Sequence, residues 1–138
     1  MISEWDLSNV EDMYMAFYNS VISYELDLSK WDVSNVTNMK DMFGNLNKNR
    51  YGGYRINFTG WDVSKVTNMQ RMFLGAAFRS DFSSWDVSSV KNMKSMFGGS
   101  TIKTINNSDN IGLANWDVSN VWYMNCLLYT SPSPRDRS

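Results

Sequence analysis

The segment Trp61-Asp-Val-Ser-Lys-Val-Thr-Asn-Met-Gln-Arg-Met-Phe73 is the unit from which this chain is built. Four further copies share its tryptophan, aspartate and serine positions, and an apolar residue lies three positions before each tryptophan. These copies occupy residues 5–17, 31–43, 85–97 and, incompletely, 116–125. A unit repeated head to tail is typical of a solenoid, so each coil is expected to bury its apolar face against its neighbours.

The apolar pattern within one copy predicts two kinds of local structure. Trp61 and Val63 alternate with polar residues, which is typical of a half-buried strand. The apolar residues between Val66 and Phe73 follow at spacings of three and four, which place them on one face of a helix. We therefore predict an α/β, leucine-rich-repeat-like solenoid of about five strand-turn-helix coils, with a parallel sheet on one face.

The repeats predict one solenoid domain over residues 1–125, with copies that start near residues 2, 28, 58, 82 and 113. The tryptophans recur at intervals of 26, 30, 24 and 31 residues, so the longer coils are expected to carry insertions after the predicted helix, at residues 44–57 and 98–112. Because residue 2 already obeys the pattern, we expect the natural protein to extend in both directions. Both end coils are then uncovered, and we expect the isolated chain to be weakly stable or to associate.

The pattern stops at residue 126. Residues 126–138 resemble the translation of a transposase sequencing adapter, and we interpret them as a non-native tail that is disordered.

Composition argues against several classes of function. The net charge of −1 does not favour a nucleic-acid partner. The chain has no histidine and a single cysteine, Cys126, so the commonest general base and the commonest zinc ligands are missing. No apolar stretch is long enough to span a membrane. We therefore predict a protein that is not an enzyme, with no catalytic, cofactor or metal site.

The phrase W-D-V-S-N-V-T-N-M-x-x-M-F carries a resemblance to a known family. It resembles the BspA-like branch of leucine-rich repeats, which occurs in mycoplasma and other bacterial surface proteins. The resemblance covers residues 2–125, with departures at Leu7, Ala16 and Trp122-Tyr123. It implies an extracellular or cell-surface array that binds proteins or host matrix, in which neighbouring coils of the full-length protein are also partners.

One candidate binding surface is the row of aspartates with the serines two positions later. If the tryptophans and valines face inward, these side chains line up outside and could hold a cation or a basic ligand. The alternative, which we favour because the residues recur in every copy, is that each aspartate accepts hydrogen bonds from its own or the next coil. The candidates are Asp32, Asp62, Asp86, Ser34, Ser64 and Ser88.

The tryptophan row and the methionine pairs are interpreted as core. A row of tryptophans could bind sugars, but each lies two residues from a core valine, which favours burial. Each indole N–H then needs an acceptor, and the asparagines Asn38, Asn68 and Asn92 are candidates. The methionine pairs at a spacing of three are expected to pack rather than bind a metal.

The insertion at residues 47–56 is the second candidate surface, because it mixes tyrosine, arginine, asparagine and glycine as adaptable recognition loops do. Its predicted partner-binding residues are Arg50, Tyr51, Tyr54 and Arg55. The main hypothesis is a non-enzymatic, surface-displayed binding or adhesion module that recognises a protein or glycan. The alternative is a structural spacer in a longer surface filament with no specific ligand.

Overall fold

Four three-residue strands form one parallel sheet in a computed structural model, which describes residues 2–50, 53–106 and 108–125. The strands lie side by side in chain order, one from each of the first four coils, so the parallel sheet on one face is confirmed. A 3₁₀-helix at Ile2–Glu4 is the only helix among these residues. The strands are β1 (Glu25–Asp27), β2 (Arg55–Asn57), β3 (Ala77–Arg79) and β4 (Thr101–Lys103). The predicted tail at 126–138 lies outside the described residues.

The strands lie before the tryptophan motif rather than within it, so the predicted strand at Trp-x-Val was wrong. The chain turns there instead: the Ser34 amide donates to Asp32 Oδ1 (3.0 Å), and Val36 donates to the Val33 carbonyl (3.0 Å). Tryptophan and valine of this motif are still buried, because a turn can also direct residues two apart toward one side. In the true strands, Ile56 and Phe78 point into the core and their neighbours are part-exposed.

The segment from Met39 to Phe43 forms turns instead of the predicted helix. Met42 donates to the Met39 carbonyl within its own coil (3.2 Å). The amides of Met39, Asp41 and Phe43 instead donate to carbonyls of the next coil, at 2.9, 3.0 and 2.9 Å. Repeated turns of this kind satisfy the apolar spacing of three as well as a helix does, which is why the methionines are buried as predicted while the helix is absent.

The residue before the second methionine position adopts a left-handed backbone in each of the first four copies. Its φ is 57° at Met15, 55° at Asp41, 52° at Arg71 and 54° at Ser95. This conformation costs about 1–2 kcal/mol for a residue with a side chain. None of the four is β-branched, the type that tolerates it least. Because the bend directs alternate amides at the neighbouring coil, the bonds between coils offset this cost.

Asparagines at one position of the repeat form a second line of parallel pairing. They follow the tryptophan motif in the sequence, whereas the strands of the sheet precede it. Asn38, Asn68 and Asn92 form consecutive bridges from coil to coil, and the line continues to Asp12 at one end and Tyr123 at the other. The first four coils are therefore joined by backbone bonds at both the sheet and the turns, and the described part of the fifth is joined to the fourth at the turns.

Two stacks of aromatic rings fill the core between these lines. Consecutive tryptophans lie with ring centroids 6.3, 6.4, 5.9 and 6.4 Å apart, nearly parallel throughout. The phenylalanines that end each copy stack at 5.2, 5.6 and 5.4 Å. Trp61 is 4% exposed whereas Trp5, in the first copy of the given sequence, is 58% exposed. The prediction that the tryptophans form the core is therefore confirmed for the inner coils.

Three of the repeat tryptophans bond the preceding coil through the indole N–H, but not through the predicted asparagines. Trp61 Nε1 donates to the Leu28 carbonyl (2.8 Å), and Trp31 and Trp116 donate to the equivalent carbonyls one coil earlier, at 2.7 and 3.0 Å. The acceptor is the apolar residue three before the previous tryptophan. Trp85 Nε1 is buried without a partner among the described residues.

The segments predicted to be insertions contain part of the sheet. Residues 44–57 include β2, and residues 98–112 include β4. Asn47, predicted to open a recognition loop, is fully buried: its Oδ1 accepts from the Ile22 amide (3.0 Å) and its Nδ2 donates to the Ala77 carbonyl (3.3 Å). This side chain joins three coils, so its role is structural.

We expect Phe73→Ala to lower the free energy of unfolding by about 3–5 kcal/mol, because the ring is fully buried between two stacked rings. The matched variant Phe17→Ala removes a half-buried ring that is stacked on only one equivalent phenylalanine, and should cost clearly less. Urea denaturation measures both values. Equal costs would contradict the stacking account.

Candidate binding surface

The predicted aspartate and serine candidates form a row of small turns, one in each copy of the repeat. Asp32 Oδ1 accepts from the amide and the hydroxyl of Ser34 (3.0 and 2.5 Å). Asp62 and Asp86 accept from the amide of the serine two residues later, at 2.9 and 3.0 Å. All three aspartates are exposed at these turns, beside the sheet rather than on its strands.

These hydrogen bonds hold the carboxylates in the charged form. The hydroxyl and the amide of Ser34 lower the pKa of Asp32, although the neighbouring carboxylates of the row oppose the shift. The pKa values of Asp62 and Asp86 are lowered in the same way by their own serines. The hydrogen-bonding role expected for this row is therefore present, and a role in binding a partner stays a prediction. No group of three or more potential acidic or cysteine metal ligands occurs in the described ranges.

Two further rows of the same turn were not anticipated. One precedes the tryptophan motif, where Asp27, Asn57 and Asp81 accept from the amides two residues later at 3.0, 3.0 and 2.8 Å. The other consists of the bridging asparagines, such as Asn68, which accepts from the Gln70 amide at 2.9 Å. The pattern Asp/Asn-x-Ser/Thr at residues 27–29, 57–59 and 81–83 is a visible signal for the first of these rows.

The predicted recognition residues of the 47–56 segment separate into different environments. Arg50 is exposed on a turn, where its amide donates to the Asn47 carbonyl (2.9 Å). Tyr54 is half-buried against the core, and Arg55 lies on β2. Tyr51 lies outside the described residues. The segment therefore does not present these side chains as one loop, although Arg55 reaches the outer face of the sheet.

A row of charged residues crosses that outer face at a single register. Glu25 pairs with Arg55, Arg55 with Arg79, and Arg79 with Lys103. Paired residues of adjacent parallel strands point the same way and are about 4.8 Å apart. Sequence reasoning missed Arg79 and Lys103, because they lie in return segments that the repeat pattern does not constrain.

A cleft of about 540 Å³ opens over the first three residues of this row. Its lining includes Glu25, Arg55, Asn57, Arg79, Asp81 and Ser84. Arg79 Nη1 donates to the Ile105 carbonyl (3.2 Å), and the Arg55 guanidinium lies 5.6 Å from the centre of the Tyr24 ring. The volume lies within the range of about 300–1,000 Å³ that is usual for ligand sites.

Arg71 has a structural role and provides a comparison for Arg55 and Arg79. Its Nε and Nη2 donate to the two carboxylate oxygens of Asp41 at 2.9 and 3.0 Å, and the Asp41 side chain is 7% exposed. This bidentate hydrogen bond raises the pKa of Arg71 further above its usual range. Within the described residues, neither Arg55 nor Arg79 has a carboxylate in salt-bridge range.

A family model matches the chain twice in tandem, over residues 1–51 and 49–134, and it is described as Mycoplasma protein of unknown function, DUF285. The chain belongs to the DUF285 family. The second match extends past residue 125 into the predicted tail. The finer resemblance to BspA-like leucine-rich repeats stays a prediction for this DUF285 chain. No curated protein and no solved structure matches it.

The described part of this DUF285 chain contains no helix with the length and apolar character needed to cross a bilayer.

The stability of this DUF285 chain should fall in acid. The folded state lowers the pKa of the aspartates in this row. Their contribution to stability is therefore complete above the unfolded-state pKa of about 3.9. It is lost as the pH falls through the lower folded-state pKa. Urea denaturation between pH 7 and pH 2 measures this. The variant Asp62→Asn/Asp86→Asn should weaken the pH dependence while keeping the turns, because Asn57 already forms the same turn with Thr59. Stability that increases below pH 4 would contradict this account.

Proposed function

We propose that this DUF285 chain is a non-enzymatic binding module, displayed at the cell surface, that recognises a protein or glycan partner through the outer face of its sheet. The observation that carries the proposal is the presence of Arg55 and Arg79 in a cleft, with no carboxylate partner among the described residues. In this fold an arginine with a structural role, Arg71, has such a partner. Surface display rests on the resemblance to bacterial surface repeats.

The aspartate rows support a role without catalysis. An acid–base pair of carboxylates needs two environments that separate their pKa values. Here Asp32, Asp62 and Asp86 occupy equivalent turns and their pKa values shift in the same direction. The absence of histidine from the sequence agrees with this proposal.

The second candidate function is a structural spacer within a longer filament. It is favoured by the three rows of turns, whose side chains bond mainly to their own coil. A spacer has no need for a charged cleft, which is why the binding module is preferred.

The two proposals differ in one binding experiment. The purified chain, titrated against an immobilised panel of matrix proteins and glycans, should bind at least one member saturably. The double variant Arg55→Ala/Arg79→Ala should weaken that binding about tenfold or more, because it removes two charged donors that line the cleft. The matched variant Glu11→Gln, which changes an exposed charge outside the cleft, should leave it unchanged. Binding to no member of the panel would favour the spacer.

A further inference from the structure

The Arg55 guanidinium is poorly satisfied by the protein itself. Its Nε is buried without an acceptor. Within the described residues, the guanidinium makes a cation–π contact with the Tyr24 ring, 5.6 Å from the ring centre, and no hydrogen bond. Buried donors without partners are uncommon and call for an explanation. A guanidinium prefers planar, bidentate acceptors such as a carboxylate, and Arg71 realises that geometry elsewhere in this fold. The buried Nε cannot be reached from the cleft, but a carboxylate supplied by a ligand would give the guanidinium a partner through its Nη groups.

The cleft around Arg55 is not uniformly positive. Glu25 and Asp81 also line it, so the two carboxylates balance Arg55 and Arg79. A polyanion such as a nucleic acid would meet both carboxylates unfavourably. A ligand with one carboxylate and several hydroxyl groups would suit the lining better, because hydroxyl groups donate to carboxylates and accept from amides.

The shape of the row favours a sugar chain over a peptide. Arg55, Arg79 and Lys103 succeed one another across the sheet at the strand spacing of about 4.8 Å. One sugar residue in a linear glycan is about as long as that spacing, so successive sugars would lie over successive strands. The exposed Tyr24 ring at the edge of the sheet offers an apolar face for a sugar ring.

Resting on the proposed binding function, we propose that the cleft over β2 and β3 binds a glycan that contains a carboxylate sugar. Arg55 and Arg79 hold the sugar carboxylate. Glu25, Asn57, Asp81 and Ser84 bind the hydroxyl groups of that sugar and its neighbour.

Calorimetric titration of the full chain with two tetrasaccharides tests this. One alternates glucuronic acid with N-acetylglucosamine, and the other contains N-acetylglucosamine alone. The acidic probe should bind at least about tenfold more tightly, and Arg55→Gln and Arg79→Gln should each remove most of that preference. The matched variant Lys94→Gln removes an exposed cation at the turns, away from the cleft, and should keep it. Amide chemical-shift changes at Asn57 and Ser84, but not at Lys94, would locate the site in the unaltered chain.

Three results would overturn the inference: equal affinity for the two tetrasaccharides, an equal effect of Lys94→Gln, or tighter binding of tetraglutamate, which would indicate an acidic peptide instead. Any of these, combined with saturable binding to another member of the panel, leaves the proposed function standing. Absence of binding to both tetrasaccharides and to the whole panel removes the proposed function together with the inference.

Discussion

The fold depends on backbone amides that donate hydrogen bonds alternately within their own coil and to the next coil. Along Met39–Phe43, alternate N–H groups close turns within the coil and the others bond the next coil, which requires a left-handed backbone at Asp41. Such a conformation persists only where its surroundings impose it. The stacked rings of Phe43 and Phe73, the indole bond from Trp61 and the Asp41–Arg71 ion pair all act between these same coils. Stability in this chain is therefore mainly an interaction between neighbours, as in other repeat proteins.

This arrangement determines which surface can differ from coil to coil. At the turns and around the tryptophan motif, every copy must supply the same acceptors, apolar groups and short side chains, and the aspartates there bond to their own serines. The strands face a weaker constraint, since only their central residues, such as Ile56 and Phe78, must be apolar. Residues beside them can change without loss of stacking. Arg55 and Arg79 lie at such positions. The cleft is therefore lined by strand residues that the repeat pattern does not constrain.

The repeat allowed the stacking, the inward tryptophans and the parallel sheet to be predicted, because these follow from periodic burial. The repeat pattern gave wrong predictions of the secondary structure within each coil. A spacing of three apolar residues fits turns as well as a helix, and no glycine marked the left-handed positions, which Met15, Asp41, Arg71 and Ser95 occupy. The strand positions were predicted wrongly because the strands lie in the return segments. These segments differ in length, so the copies cannot be compared there. For the same reason Arg79 and Lys103 escaped notice, whereas Arg55 was identified through the composition of its segment.

The central claim is that the Met-x-x-Met-Phe segments bond to the next coil rather than form a helix. Scalar couplings across hydrogen bonds, measured by nuclear magnetic resonance on the isotopically labelled chain, identify each donor and acceptor directly. The account predicts coupling from the Phe43 amide nitrogen to the Met72 carbonyl carbon, and from Asp41 to Gln70. Coupling from Phe43 to the Met39 carbonyl, four residues earlier as an α-helix requires, would contradict it.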